Sequence, residues 1–301
     1  MPVPPRSNLL VANQNVLLFA ALCLVWGLTW IPIKIGTAVV PPLLFAAARF
    51  FTAGIVLAII SQLIGHPLPQ RPALPRLIAV AILTVTLTYG PLFWGAARID
   101  SGLAAVINLS LIPIGLIAAS ALLEKHRPQS QQILACLIGL PGLALLFLGG
   151  SGRSRVEGIV AIVVGTISYC IGSVLSRRIP AQPTPVTVSA VCNTLGALLL
   201  GLWAIAAQET QQFRWANVES ATIVSWLFLV VFGSVFGFTV YLHLLQVWGA
   251  GRAGMYAFLS PIVAVLAGAI ALQEAVTLKD GLGMALMVIG ASIALKGRNE
   301  A

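Results

Sequence analysis

Stretches of about 20 apolar residues recur along this chain with only short polar interruptions, and that recurrence decides its solvent. A run of this length is what an α-helix needs to cross a bilayer. The runs fall at approximately 14–35, 43–64, 77–97, 102–123, 131–149, 157–178, 186–206, 221–244, 253–272 and 280–296. Backbone groups in hydrocarbon must be paired internally, so each run is expected to be a helix unless the chain closes into a barrel. No period-2 alternation runs through them, which argues against a barrel. The expectation is therefore an all-α membrane protein of ten transmembrane helices. Composition agrees, with 59% of the 301 residues hydrophobic and 8% charged, against about a quarter charged in soluble domains.

The formal charge of +9 would suggest nucleic acid in a soluble protein. Here the basic residues stand singly between apolar runs, so they read as topology signals, and no nucleic-acid partner is expected. With the N-terminus inside, one side holds Arg6, Arg71, Arg76, Lys125, Arg127, Arg177, Arg178, Arg252, Lys296 and Arg298. The other holds Arg98, Arg153, Arg155, Arg214 and Lys279, so both termini are expected in the cytoplasm. The first run lacks a small-x-small cleavage site and reads as a retained span rather than a signal peptide. Cys23, Cys136, Cys170 and Cys192 lie within apolar runs with no CxxC or nearby His, and read as small packed hydrophobes. No connection is long enough for a separate soluble domain, so any chemistry must lie within the bundle.

The chain also repeats itself weakly. DSGLAAVINLSLIPIGLIAASALLEK (100–125) is matched by AGRAGMYAFLSPIVAVLAGAIALQEA (250–275) at an offset of 150, which sets Ser260 opposite Ser110 and Glu274 opposite Glu124. The prolines fall out of step, Pro113 lying two places later than Pro261 would predict. At an offset of 143, Trp26 falls opposite Tyr169 and Lys34 opposite Arg177. The expected halves are residues 1–150 and 151–301, five helices each. An odd number of helices inserts the second copy upside down, and inverted repeats place a substrate site near the midplane between the halves.

Trp26-Gly27, Lys34, Pro41-Pro42 and Arg49, followed by Pro113…Glu124 and its counterpart Pro261…Glu274, form an ordered set across both halves. This set resembles the EamA family of the drug/metabolite transporter superfamily, and the aromatic-rich spans are similar to its YddG-type amino-acid exporters. The resemblance implies a ten-helix, basket-like exporter with a central cavity and broad amino-acid substrates. It would sit in the cell membrane, with the lipid bilayer and a small-molecule substrate as partners and no cofactor.

All eight carboxylates, Asp100, Glu124, Glu157, Glu209, Glu219, Glu274, Asp280 and Glu300, lie in loops or at span ends. A carboxylate at mid-membrane is the usual proton relay. The small multidrug-resistance pumps of the same superfamily depend on a glutamate in the first span, and residues 14–25 here contain no acid. Proton antiport through that device is not expected. Glu124 and Glu274 end their helices and are expected to cap the helix that follows.

Trp26, Trp30, Tyr89, Trp94, Tyr169, Tyr241 and Tyr256 fall inside spans. An aromatic lining packs against variable side chains while presenting single hydrogen-bonding groups. Trp26, Tyr89 and Tyr169 are expected to line the cavity, while Trp30 and Trp94 read as interfacial anchors. Tyr89 and Phe93 share a face, with Pro91 between them where it can kink the span. Pro32 is expected to bend the first span in the same way. Asn108 needs a partner, either a neighbouring helix or a ligand. Thr166, Ser168 and Ser173 are read as bonding their own helix carbonyls. Two readings stand for His243, a proton carrier or cavity contact and a neutral imidazole paired within the bundle. Two also stand for Arg49, contact with a substrate anion and structural pairing, since an arginine in a span costs at least about 2.5 kcal/mol. Lys34 lies closer to a span end and snorkels. Gly233 and Gly237, like Gly139, Gly142, Gly283 and Gly290, are expected to allow close helix approach.

Transport of a sugar phosphate or nucleotide would demand several cavity cations, and only Arg49 and Lys34 offer themselves. An intramembrane enzyme would need an acid pair, a metal cluster or a Ser–His arrangement within the spans, and the sequence has none there.

Overall fold

The computed structural model describes residues 6–67, 69–96, 98–99, 101–125, 127–147, 156–179, 183–272 and 276–296, without the side chains of residues 6–12, 30, 34, 101–103, 106, 268, 271 and 272. Every element among them is helical. Eight stretches are long and apolar enough to cross a membrane: Asn13–Val39, Pro42–Leu63, Arg71–Ala96, Val156–Arg177, Pro185–Ala206, Ser220–Trp248, Ala250–Ala267 and Leu278–Leu295. Two shorter apolar helices, Ile107–Leu123 and Ser130–Leu146, complete the set of apolar helices among the described residues. Together they fall on the apolar runs of the sequence. Leu17, Leu24, Leu63, Leu122, Leu137 and Ile270 are among many large apolar side chains left exposed. An outward-facing apolar surface of this kind suits lipid and not water.

Three of the spans are interrupted, the first of them on the wall of the cavity described below. The first breaks at Thr29 between the helices Arg6–Leu28 and Trp30–Val39. Pro32, lacking an N–H, cannot serve the carbonyl of Leu28, and the Thr29 hydroxyl donates to the Trp26 carbonyl at 2.7 Å. The third holds a π-helical turn, Ile82–Thr86, just before the helix Leu87–Ala96 that contains Pro91. The Ser220–Trp248 span carries a longer π segment, Leu229–Phe236. The two π segments overlap when one half is shifted by the 150-residue offset of the sequence repeat.

Close packing follows the small residues. Gly54 of the Pro42–Leu63 helix lies against Thr194 of Pro185–Ala206, and a Cβ there would stand 2.3 Å from the Thr194 hydroxyl. Gly142 and Gly283 bring Ser130–Phe147 and Leu278–Leu295 together so that each faces the other's carbonyl. Gly95, Gly165 and Gly172 do the same for the contact between the Arg71–Ala96 span and Val156–Arg177. These contacts match the expected role of small residues in lipid, where van der Waals packing replaces a hydrophobic driving force. Gly233 and Gly237 lie against the polar ends of two long side chains from other helices, Arg49 and Trp26.

The expectation that Glu124 caps the following helix is not met. Its carboxylate accepts from Ser120 Oγ at 2.6 Å and from Arg177 Nη1 at 2.5 Å. At the C-terminal end of its own helix an anion is disfavoured, and it turns instead to a cation on a neighbouring helix. The helix after Glu274, itself outside the described residues, starts with a capping box of Thr277 and Asp280. Glu209 ties the short helix Glu209–Gln212 to the start of Pro42–Leu63, accepting from the Leu44 N–H at 2.9 Å. Burial pushes its carboxyl above the ordinary range, while the N–H groups of Leu44 and Leu43 oppose that shift. All four cysteines are buried free thiols, as expected.

Candidate functional site

A cavity of about 120 Å³ lies beside the break in the first span, lined by Trp26, Thr29, Arg49, Tyr89, Phe93, Asn108, Tyr169, Tyr256 and Ser260, with aliphatic side chains between them. Five of the six candidate residues read from the sequence, Trp26, Arg49, Tyr89, Asn108 and Tyr169, therefore share one space. His243 stands apart. Its Nε2 is 2.9 Å from Asn15 Oδ1, which is eleven residues, or about 16 Å of helix, from Trp26.

Three lining rings, Trp26, Tyr169 and Tyr256, pack around a fourth, Tyr241, which lies behind the cavity wall. Trp26 packs against Tyr241 at a centroid distance of 5.3 Å and edge-on against Tyr256 at 4.6 Å. Tyr169 stacks on Tyr241 at 5.6 Å, and its hydroxyl accepts from Tyr256 at 2.9 Å. Trp26 and Tyr169, opposite each other in the sequence repeat, thus meet the same two tyrosines. The Tyr241 hydroxyl donates to the Ser173 hydroxyl, so the partner described for Ser173 is on a neighbouring helix and not one of its own helix carbonyls. On the other wall Tyr89 packs between Phe50 and Phe93, at 4.6 and 5.8 Å. Such rings supply broad apolar surface with a few fixed polar groups, the usual build of a small-molecule site.

Arg49 is 5% exposed and carries the only charge among the cavity's described lining. Its Nε donates to Ser234 Oγ at 2.9 Å, and its Cζ lies 4.8 Å from the Phe50 ring centroid. No described carboxylate pairs with it, the one described ion pair being Arg177–Glu124. Both terminal nitrogens of the guanidinium are left without a hydrogen bond to a described residue. Asn108 Nδ2 donates to Thr166 Oγ1 at 2.9 Å, the neighbouring-helix alternative, and Thr166 in turn donates to the Ile162 carbonyl. Its Oδ1 takes no bond from a described residue. Ser260 Oγ, buried and on the cavity wall, also has no partner there.

Between Trp26 and Asn15 the first span packs closely on its neighbours. Phe19 meets Trp248 at 5.4 Å, and Leu22, Leu116, Leu244 and Leu245 are fully buried. A second, larger cavity of about 460 Å³ lies between the start of Pro42–Leu63 and the segment from Thr210 to Trp226. Its lining carries no charged side chain, so recognition by charge belongs to the smaller cavity.

Residue-by-residue reading missed Ser234, Thr29 and Ser260, since single hydroxyls are common in spans. The available signal was GSVFG (233–237), which combines two glycines and a serine, but its spacing also fits helix–helix contact. No described His, Cys, Asp or Glu cluster could hold a metal.

Comparison with known proteins agrees with the membrane architecture. A solved crystal structure superposes with a TM-score of 0.79 at 21% identity, over 94% of this chain and 96% of that one, a likeness of fold. The chain is 31% identical over 251 residues to the "Uncharacterized inner membrane transporter YedA" of Escherichia coli, covering 82% of this chain and 79% of that protein. It is 27% identical over 281 residues to the "Uncharacterized transporter YvbV" of Bacillus subtilis, covering 92% and 90%. The EamA-like transporter family model matches twice, over residues 14–148 and 156–296. This chain is a multi-pass membrane protein and belongs to the EamA-like transporter family.

Proposed function

We propose that the protein exports neutral amino acids, aromatic ones included, across the cell membrane by alternating access. In this reading ten spans form two inverted five-helix halves around the cavity, with both termini in the cytoplasm. The observation that carries it is the Arg49 guanidinium, buried on the cavity wall with no described carboxylate beside it. An unpaired buried cation is unfavourable, and a substrate carboxylate is the group that relieves it. Asn108 Oδ1 and the tyrosine hydroxyls are acceptors for an ammonium, and the aromatic walls accommodate side chains of several shapes. A sugar phosphate would call for more positive charge than one arginine provides.

The test is efflux of labelled phenylalanine, threonine or methionine from vesicles reconstituted with the purified protein. Each is expected to leave faster than from protein-free vesicles, and loading with a sugar phosphate is expected to show no such difference. Equal rates with and without protein for all three amino acids would overturn the proposal. Because no described carboxylate lines the cavity, a pH gradient is expected to change the rate only weakly. A strictly gradient-driven flux would contradict the expected absence of a proton relay.

A further inference from the structure

The stretch Gly233-Ser234-Val235-Phe236-Gly237 touches both of the cavity's most distinctive side chains. It lies at the end of the π segment Leu229–Phe236, which leaves backbone groups off the regular helical ladder. The carbonyl of Gly233 accepts from Trp26 Nε1 at 3.2 Å. The hydroxyl of Ser234 accepts from Arg49 Nε at 2.9 Å, and Ser234 is fully buried. Gly237 gives Trp26 its room, since a Cβ there would stand 2.3 Å from the indole nitrogen. Gly233 gives Arg49 its room in the same way, with Nη2 at 2.8 Å from such a Cβ. The glycine pair is therefore a seat for two side chains from other helices.

We infer that Ser234 is the positioning residue of the anion site, and that it selects how a carboxylate is held. This rests on the amino-acid reading of the cavity. A guanidinium can grip a carboxylate with Nε and one Nη together, or end-on with both Nη groups. With Nε committed to Ser234, the side-on grip is closed. The two Nη groups, which bond no described residue, remain for the end-on grip. A planar, two-oxygen anion fits that fork, whereas an amide or ester in the same place does not. Ser234 also fixes the long arginine side chain, whose rotamer freedom would otherwise be lost only on binding.

The test measures equilibrium binding of phenylalanine and of phenylalaninamide to the purified, detergent-solubilised protein. For Ser234→Ala, phenylalanine affinity is expected to fall about fivefold or more, with amide affinity unchanged. Ser225→Ala, a buried serine of the same span away from the cavity lining, is expected to alter neither. Unchanged phenylalanine affinity in Ser234→Ala would overturn the inference. So would an equal loss for acid and amide, which would mark a structural role. Binding without efflux in vesicles would sink the exporter reading and leave the carboxylate grip standing, whereas wild-type protein that binds no phenylalanine would overturn both.

Discussion

Substitution of Arg49 by methionine is expected to remove most amino-acid efflux while making the protein more stable. The two effects have opposite signs because they come from one cause. The guanidinium is buried and has Ser234 as its hydrogen-bonded partner but no described counter-ion. Burying an ion takes it out of water at a cost of several kcal/mol, which a single hydroxyl does not offset. Methionine fills a similar volume without that cost, so unfolding should become harder by about 1 kcal/mol or more. For a chain of this size that amounts to a rise of about 2 °C in the melting midpoint. Loss of the charge–carboxylate contact should weaken substrate handling by about 2 kcal/mol or more, roughly 30-fold. Arg49→Lys should retain part of the activity, since it keeps the charge and loses the planar fork. The measurements are vesicle efflux and thermal unfolding in detergent. A methionine variant that transports normally, or one that melts well below wild type, would show Arg49 to be a structural residue.

The second large effect is expected at Trp26. Trp26→Ala removes a ring that packs on Tyr241 and Tyr256 and donates to the Gly233 carbonyl. Truncation of a well-packed tryptophan costs about 3–5 kcal/mol, with the upper end reserved for full burial, and Trp26 is only part-buried. The first span stays long and apolar without it, so insertion into the membrane should be normal. Flux should be lost and the melting midpoint lowered. Trp26→Phe separates the contributions in part, because it keeps a smaller aromatic ring and removes the donor. Polar contacts between helices in membranes are worth about 0.6 kcal/mol on average, so this variant should lose much less stability than Trp26→Ala. If Trp26→Ala transports at the wild-type rate, the indole is packing alone.

The element pattern was legible in the sequence because lipid leaves so few options. Apolar runs with short breaks can only be helices, and their lengths mark the ends. Trp26 and Arg49 were legible for a related reason, since each is conspicuous against an aliphatic background. What surrounds them was not. Glu124 could be seen to end a helix, but its partner Arg177 lies 53 residues away and becomes visible only when the helices pack. Gly233 and Gly237 have the spacing of a helix-contact motif. Only in three dimensions does the neighbour prove to be an indole and a guanidinium. The π segments were illegible too, because the extra residue in a widened turn leaves no mark on composition. His243 stood out as a histidine within a span, and the structure gives it Asn15 as a neighbour rather than a place on the cavity wall.

The solitary charge of the cavity also bears on how the carrier meets an electrical field. Moving one elementary charge through a membrane potential of 100 mV is worth about 2.3 kcal/mol. A zwitterionic amino acid adds no net charge beside Arg49, so the loaded and empty sites differ in contents but not in electrostatic work. Whatever voltage contributes on one stroke through the charge of Arg49 it then takes back on the other, so a full cycle carries no net electrostatic work. For the amino-acid exporter proposed above, the direction of net flow would be left to the solute's own concentration difference, which suits a relief valve better than a pump.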